Sequence, residues 1–288
     1  MKLIDLVERS SARLQQAGVS FGHGTANAFD EAAWLVLWKL ALPLDDLDEV
    51  AERDIDEAQV RGVDTLIEER IATRKPAAYL TREAWLQGVP FYVDERAIVP
   101  RSFIAELIAD GSIDPWLTDR TRSVLDLCTG NGSLAVLCAM AWPEVRVDAS
   151  DLSRDALAVA RINVDRHALA DRVALVESDG LAALHKRYDL IVCNPPYVNA
   201  QSMAALPAEY RAEPALALAG GDDGMDFIRR LFADAPSRMS DEAVLVLEIG
   251  NERPHFERAF PRLDVVWMST SAGDDQVLLV TREALLSP

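Results

Sequence analysis

The sequence predicts an α/β protein. It has a doubly wound, mostly parallel sheet of seven strands, a small helical amino-terminal domain, and a β-hairpin between them. Three observations carry this. From Arg122 onward, apolar runs of strand length alternate with segments of helical period. The first run leads into a glycine turn, Cys128-Thr129-Gly130-Asn131-Gly132, that opens a helix. The fourth, Leu190-Ile191-Val192-Cys193, stops abruptly at Asn194-Pro195-Pro196-Tyr197.

In chain order, Leu3, Leu6, Val7 and Leu14 predict a helix over 3–16 that ends near Gly18. Gly22-His23-Gly24-Thr25 is loop chemistry, His23 included. Asn27, with Asp30 three residues on, is placed to cap a helix whose body is 31–42, closed by Pro43. The acidic stretch 45–56 reads as exposed. Val60, Val63, Ile67 and Ile71 share one side of a helix over 58–74. Residues 83–99 alternate around Gly88-Val89-Pro90 as a hairpin, and a short helix follows over 103–109. The domains are therefore 1–83, a hairpin linker 84–99, and 100–288. Strands are expected over 123–127, 145–149, 173–177, 188–193, 243–249, 263–267 and 276–280, with helices over 133–141, 154–167 and 226–235 between them.

Half of the 288 residues are apolar, which allows a sizeable core, and the formal net charge is −18. That charge argues against a protein that grips nucleic acid through phosphates, which needs clustered cations, and favours a basic partner. The acids near the amino terminus do not suit a signal peptide, and the most apolar helix-length segment, 32–44, contains Lys39 and Pro43, so neither export nor a membrane span is expected. Cys128, Cys138 and Cys193 lack metal-ligand spacing and read as the reduced thiols of a cytoplasmic protein with no metal.

Asn194 and Pro195 both precede a proline, so the chain must leave the strand extended. The Asn194 side-chain oxygen and the Pro195 carbonyl then form two adjacent acceptors, suited to an –NH2 group, at the strand edge where open α/β sheets place their ligands. Tyr197 offers a flat face for a planar amide. Gly130 and Gly132 are expected to admit a ligand to the backbone, in a pattern that also fits the Gly-x-Gly-x-x-Ala fingerprint of dinucleotide-binding folds. Asp151, after the second strand, suits ribose hydroxyls, and Asp179-Gly180, after the third, suits an adenine amino group. A nicotinamide enzyme shares the glycines and the ribose acid but has no evident use for Asn-Pro-Pro-Tyr.

The chain resembles the class I methyltransferases, with their seven-stranded Rossmann-like sheet, and within them the protein-(glutamine-N5) methyltransferases. The resemblance runs through Ile98-Val99-Pro100-Arg101, the glycine turn, Asp151-Leu152-Ser153, Asn194-Pro195-Pro196-Tyr197, Gly220-Gly221-Asp222-Asp223-Gly224 and Glu248-Ile249-Gly250-Asn251. Gly22-His23-Gly24-Thr25, Val99-Pro100-Arg101-Ser102 and Cys128 in place of the first glycine look like the branch that acts on the third large-subunit ribosomal protein, rather than the branch that acts on the Gly-Gly-Gln loop of release factors. Asn-Pro-Pro-Tyr alone is shared with enzymes that methylate exocyclic amines of nucleic-acid bases. Cys128 departs from the wider pattern and is expected to adopt ordinary dihedrals.

The resemblance implies S-adenosylmethionine as donor, lined by Cys128, Thr129, Gly130, Asn131, Gly132, Asp151, Leu152, Asp179, Gly180 and Asn194, with Arg101 and Phe103 over it. It implies that Asn194, Pro195, Pro196 and Tyr197 bind the acceptor amide, with Asn194, Pro195 and Tyr197 as the catalytic group. The implied partner is a basic ribosomal protein, bound without direct contact to nucleic acid. Residues 1–95 carry eighteen acids against ten bases, which suits such a partner.

Overall fold

The sequence period of the first eighty residues winds four helices around one apolar cluster. The computed structural model describes residues 1–287. Helices α1 (Leu3–Gln16), α2 (Ala28–Lys39), α3 (Leu47–Val50) and α4 (Glu57–Thr73) enclose Leu3, Leu6, Leu35, Leu37, Val63 and Ile67, all buried. Asn27 caps α2, accepting from the amides of Phe29 and Asp30, which starts this helix earlier than its apolar body suggests. The acidic 45–56 stretch also contains the short α3, and Ile55 at its end is buried. Helix α5 (Ala77–Thr81) then leads into the hairpin of β1 (Ala84–Leu86) and β2 (Val89–Phe91).

Helix α6 (Ile104–Ala109) precedes the main sheet. That sheet is built from β3 (Ser123–Leu127), β4 (Arg146–Asp151), β5 (Val173–Glu177), β6 (Tyr188–Cys193), β7 (Met239–Glu248), β8 (Val266–Thr270) and β9 (Gly273–Thr281). The strand order is β5-β4-β3-β6-β7-β9-β8, parallel from β5 to β7, with β9 antiparallel to β7 and to β8. Helices α7 (Ser133–Ala141), α8 (Arg154–Arg166), α11 (Asp226–Asp234) and α13 (Arg282–Leu286) pack on it. Two apolar clusters cover its faces, one around Val124, Leu190, Val192 and Leu279, the other around Leu125, Ile191, Leu245 and Leu278, as strands buried on both sides require.

Three short helices carry no signal in the sequence: α9 (Ala200–Ala205), α10 (Ala208–Arg211) and α12 (Arg253–Ala259). Strand β8 starts at Val266, later than its apolar run at Leu263 suggests, because Leu263 packs beside the second face cluster instead of pairing. Among the described residues no helix is long and apolar enough to cross a membrane.

Candidate active site

Parallel register decides what meets at the sheet edge. Leu127 of β3 is level with Ser150 of β4 and Cys193 of β6, and Cys193 is level with Leu247 of β7. The next residues, Cys128, Asp151, Asn194 and Glu248, therefore leave the sheet side by side at its carboxyl edge. The strand order reverses between β3 and β6, which opens a crevice there. A cleft of about 720 Å³ occupies it.

One arm of this cleft is lined by Cys128, Thr129, Gly130, Asn131, Asp151, Leu152, Asp179 and Gly180, and the other by Asn194, Pro195, Pro196 and Tyr197; Arg101 and Phe103 form wall as well. Gly132 is the exception. It does not line the cleft, and its missing side chain serves packing: a Cβ there would lie 3.0 Å from the Cβ of Ala160 on α8, at a φ of +82°. The glycine lets α7 start against α8.

The turn is held from below. Asp126 is fully buried, accepting from the Thr129 hydroxyl and from the Ala135 amide at 2.9 Å, while its other oxygen has no partner. Burial pushes its carboxyl up to about 7. Cys128 takes a φ of 62°, a left-handed conformation, and not the ordinary dihedrals expected of it. A side chain there costs about 1–2 kcal/mol. The Thr129 amide that follows is tied to the Ser150 carbonyl at 2.9 Å, which keeps the turn in this shape. Asp151 accepts from the Gly130 amide at 2.9 Å through one oxygen and from the Ser153 amide at 2.8 Å through the other. Burial raises its carboxyl against these two bonds. Asp179 is exposed and lies 3.3 Å from Arg230. The hairpin also reaches the turn: Asn163 of α8 donates to the carbonyls of Tyr92 and Asn131 at 2.9 and 2.8 Å.

At the other arm, the Asn194 side chain and the Pro195 carbonyl make no hydrogen bond among the described residues, and both residues line the cleft. Tyr197 donates to Glu248 Oε1 at 3.2 Å, and Glu248 Oε2 accepts from the Ser102 hydroxyl at 2.6 Å and the Phe103 amide at 2.9 Å. Burial raises the Glu248 carboxyl despite these bonds. Arg101 is paired in bidentate fashion with Glu213 at 2.6 and 2.7 Å. Burial opposes the charge on Glu213, but Arg101 and His23 outweigh it and hold this carboxyl down at about 2.

Sequence reasoning assigned no role to Glu248, Glu213, Tyr210, Phe227, Arg230 or Gly22, all of which line or brace the cleft. Glu248 had a usable signal, an acid ending the fifth strand like the others. Tyr210 had none, because α10 is too short to show a period, and Glu213 lies in the irregular turn beyond it.

The Methyltransferase small domain family matches residues 113–211. A ribosomal protein uL3 glutamine methyltransferase from Burkholderia pseudomallei is 54% identical over 286 residues, covering 96% of this chain and 93% of that protein. One from Neisseria meningitidis serogroup A is 47% identical, covering 98% and 93%. The chain belongs to the ribosomal protein uL3 glutamine methyltransferase family. Among solved structures, the hMettl16 catalytic domain in complex with the MAT2A 3′UTR hairpin 1 is 14% identical at a TM-score of 0.54, covering 82% of this chain and 84% of that one, a likeness of fold.

Proposed function

We propose that this protein transfers a methyl group from S-adenosylmethionine to the side-chain amide nitrogen of a glutamine in ribosomal protein uL3. The observation that carries this reading is the pair of unpartnered acceptors at Asn194 and Pro195, set one strand away from the glycine turn in a chain of this family. The residues fit the donor: Gly130 turns at a φ of 56° in the cleft wall with no side chain to obstruct it, and Asp151 brings a carboxylate alongside. Bound there, S-adenosylmethionine supplies an electrophilic methyl group on a sulfonium centre.

Each residue then has a task. Asp151 takes the ribose hydroxyls and Asp179 with Gly180 the adenine, while Cys128, Thr129, Asn131, Leu152, Arg101 and Phe103 complete the donor walls. An amide nitrogen is a poor nucleophile because its lone pair is delocalised into the carbonyl. Asn194 and Pro195 accept its two N–H groups, which draws electron density onto nitrogen and fixes its plane; Pro196 stiffens the segment and Tyr197 covers the amide face. Positioning supplies most of the acceleration. No charged base is needed, since water can take the proton.

Residues 1–83 select the protein acceptor, 84–99 join the domains, and 100–288 perform the transfer. The acid excess of the first region favours a basic chain and speeds encounter. A cytoplasmic location without direct nucleic-acid contact suits this partner. The test is to incubate the enzyme and labelled donor separately with free uL3 and with a release factor across a range of salt. Labelling of uL3 that weakens as salt rises is expected. Labelling of the release factor alone overturns the substrate.

A further inference from the structure

The amino-terminal loop and α10 meet inside the cleft. Gly22 and Tyr210 both line it, and a Cβ added to Gly22 would collide with the Tyr210 hydroxyl. Tyr210 is held on several sides. The His23 ring lies 4.2 Å from its ring, centroid to centroid, the Arg101 guanidinium lies 5.3 Å from its centroid, and Glu213 pairs with Arg101 and lies 3.4 Å from His23 Nε2. Helix α10 is itself anchored to the helical domain, because Glu209 pairs with Arg70 at 3.4 Å and with Arg74 at 2.7 Å. Yet the hydroxyl of this fixed ring makes no hydrogen bond among the described residues.

A phenol hydroxyl both donates and accepts, and one left free in a cleft wall costs nothing only while water reaches it. Gly22, without a side chain, lets this hydroxyl sit directly against the backbone of the amino-terminal loop at the cleft wall. The remaining wall nearby, Leu206, Pro214 and Leu216, is apolar and offers side-chain hydrogen bonds to no one. We propose that Tyr210 is an acceptor-binding residue, its hydroxyl, seated against the side-chain-free Gly22, hydrogen-bonding the main chain of the substrate beside the target glutamine. This rests on the glutamine-transfer reading above, and it makes the two domains contribute jointly to one acceptor site.

The test uses the full-length enzyme, purified uL3 and labelled S-adenosylmethionine. Tyr210→Phe removes one oxygen that has no partner within the protein, so the melting temperature and the donor affinity should not change. The KM for uL3 should rise about tenfold with kcat within a factor of two, the size of one hydrogen bond lost from binding. Gly22→Ala should lower kcat/KM for uL3 at least tenfold, and Tyr210→Phe in that background should cost less than it does alone, because the collision is with the deleted oxygen. An unchanged KM in Tyr210→Phe overturns the proposal, as does a melting temperature that falls while the KM rises. A wild type that binds the donor but leaves uL3 unlabelled overturns the glutamine-transfer reading and this proposal with it.

Discussion

The Tyr197 hydroxyl donates to Glu248 Oε1 at 3.2 Å, and the other oxygen of that carboxylate holds the Ser102 hydroxyl and the Phe103 amide. One buried acid thus joins the proposed amide-binding wall to the wall over the donor. Glu248→Ala leaves three donors without their acceptor and should destabilise the fold by at least about 2–3 kcal/mol, since each buried donor left unsatisfied costs on the order of 1–3 kcal/mol. Tyr197→Phe deletes only the longest of the three bonds and should cost about 1 kcal/mol. Denaturant unfolding of both variants measures this, and equal losses would show that Glu248 is not the hub.

Asn194 and Asp151 should separate cleanly in their effects. Asn194→Ala should reduce turnover about 100–1,000-fold, the loss typical of one positioned group, with donor affinity within a few-fold. Asp151→Ala should weaken donor binding by roughly 1.5–3 kcal/mol. Some of that loss will come through Gly130, whose amide Asp151 holds at 2.9 Å. Calorimetry with S-adenosylmethionine beside single-turnover labelling reads both; a collapse of donor affinity in Asn194→Ala would move that residue to the donor arm.

Gly132→Ala should behave as a packing variant. Its Cβ would press on Ala160 at a left-handed φ, so a loss of about 1–3 kcal/mol in stability is expected, with donor affinity of the folded protein preserved. A stable variant that cannot bind the donor would return Gly132 to the ligand site.

Asp126 makes stability depend on pH in a definite direction. Its carboxyl is raised from 3.8 to about 7 in the folded protein. Between these values the folded state keeps a proton that the unfolded state has released, so the contribution is whole below pH 3.8 and is lost as pH rises towards 7. At about 1.4 kcal/mol per unit, several kcal/mol are at stake at most. Asp126→Asn should flatten the decline in unfolding free energy between pH 4 and 7. An unchanged slope would mean that Asp126 ionises normally.

The sequence by itself determined the sheet and the edge that carries the chemistry. Apolar runs such as Leu190 to Cys193 must be buried on both faces, and the glycines and prolines that follow can only be turns, so Gly130, Asp151 and Asn194 were legible as strand-end residues. Helical period likewise fixed α1 and α4. Tertiary structure decided the contacts between distant segments. The packing of Gly132 against Ala160, twenty-eight residues on, has no local sign in the chain, and Cys128 turned left-handed because the Thr129 amide beside it is tied to β4. His23 read as a loop residue, yet it is buried at 2% exposure against Tyr210 and Glu213. No local pattern encodes such meetings, because a short helix like α10 acquires its place from the ion pairs of Glu209 with Arg70 and Arg74 and not from any period of its own.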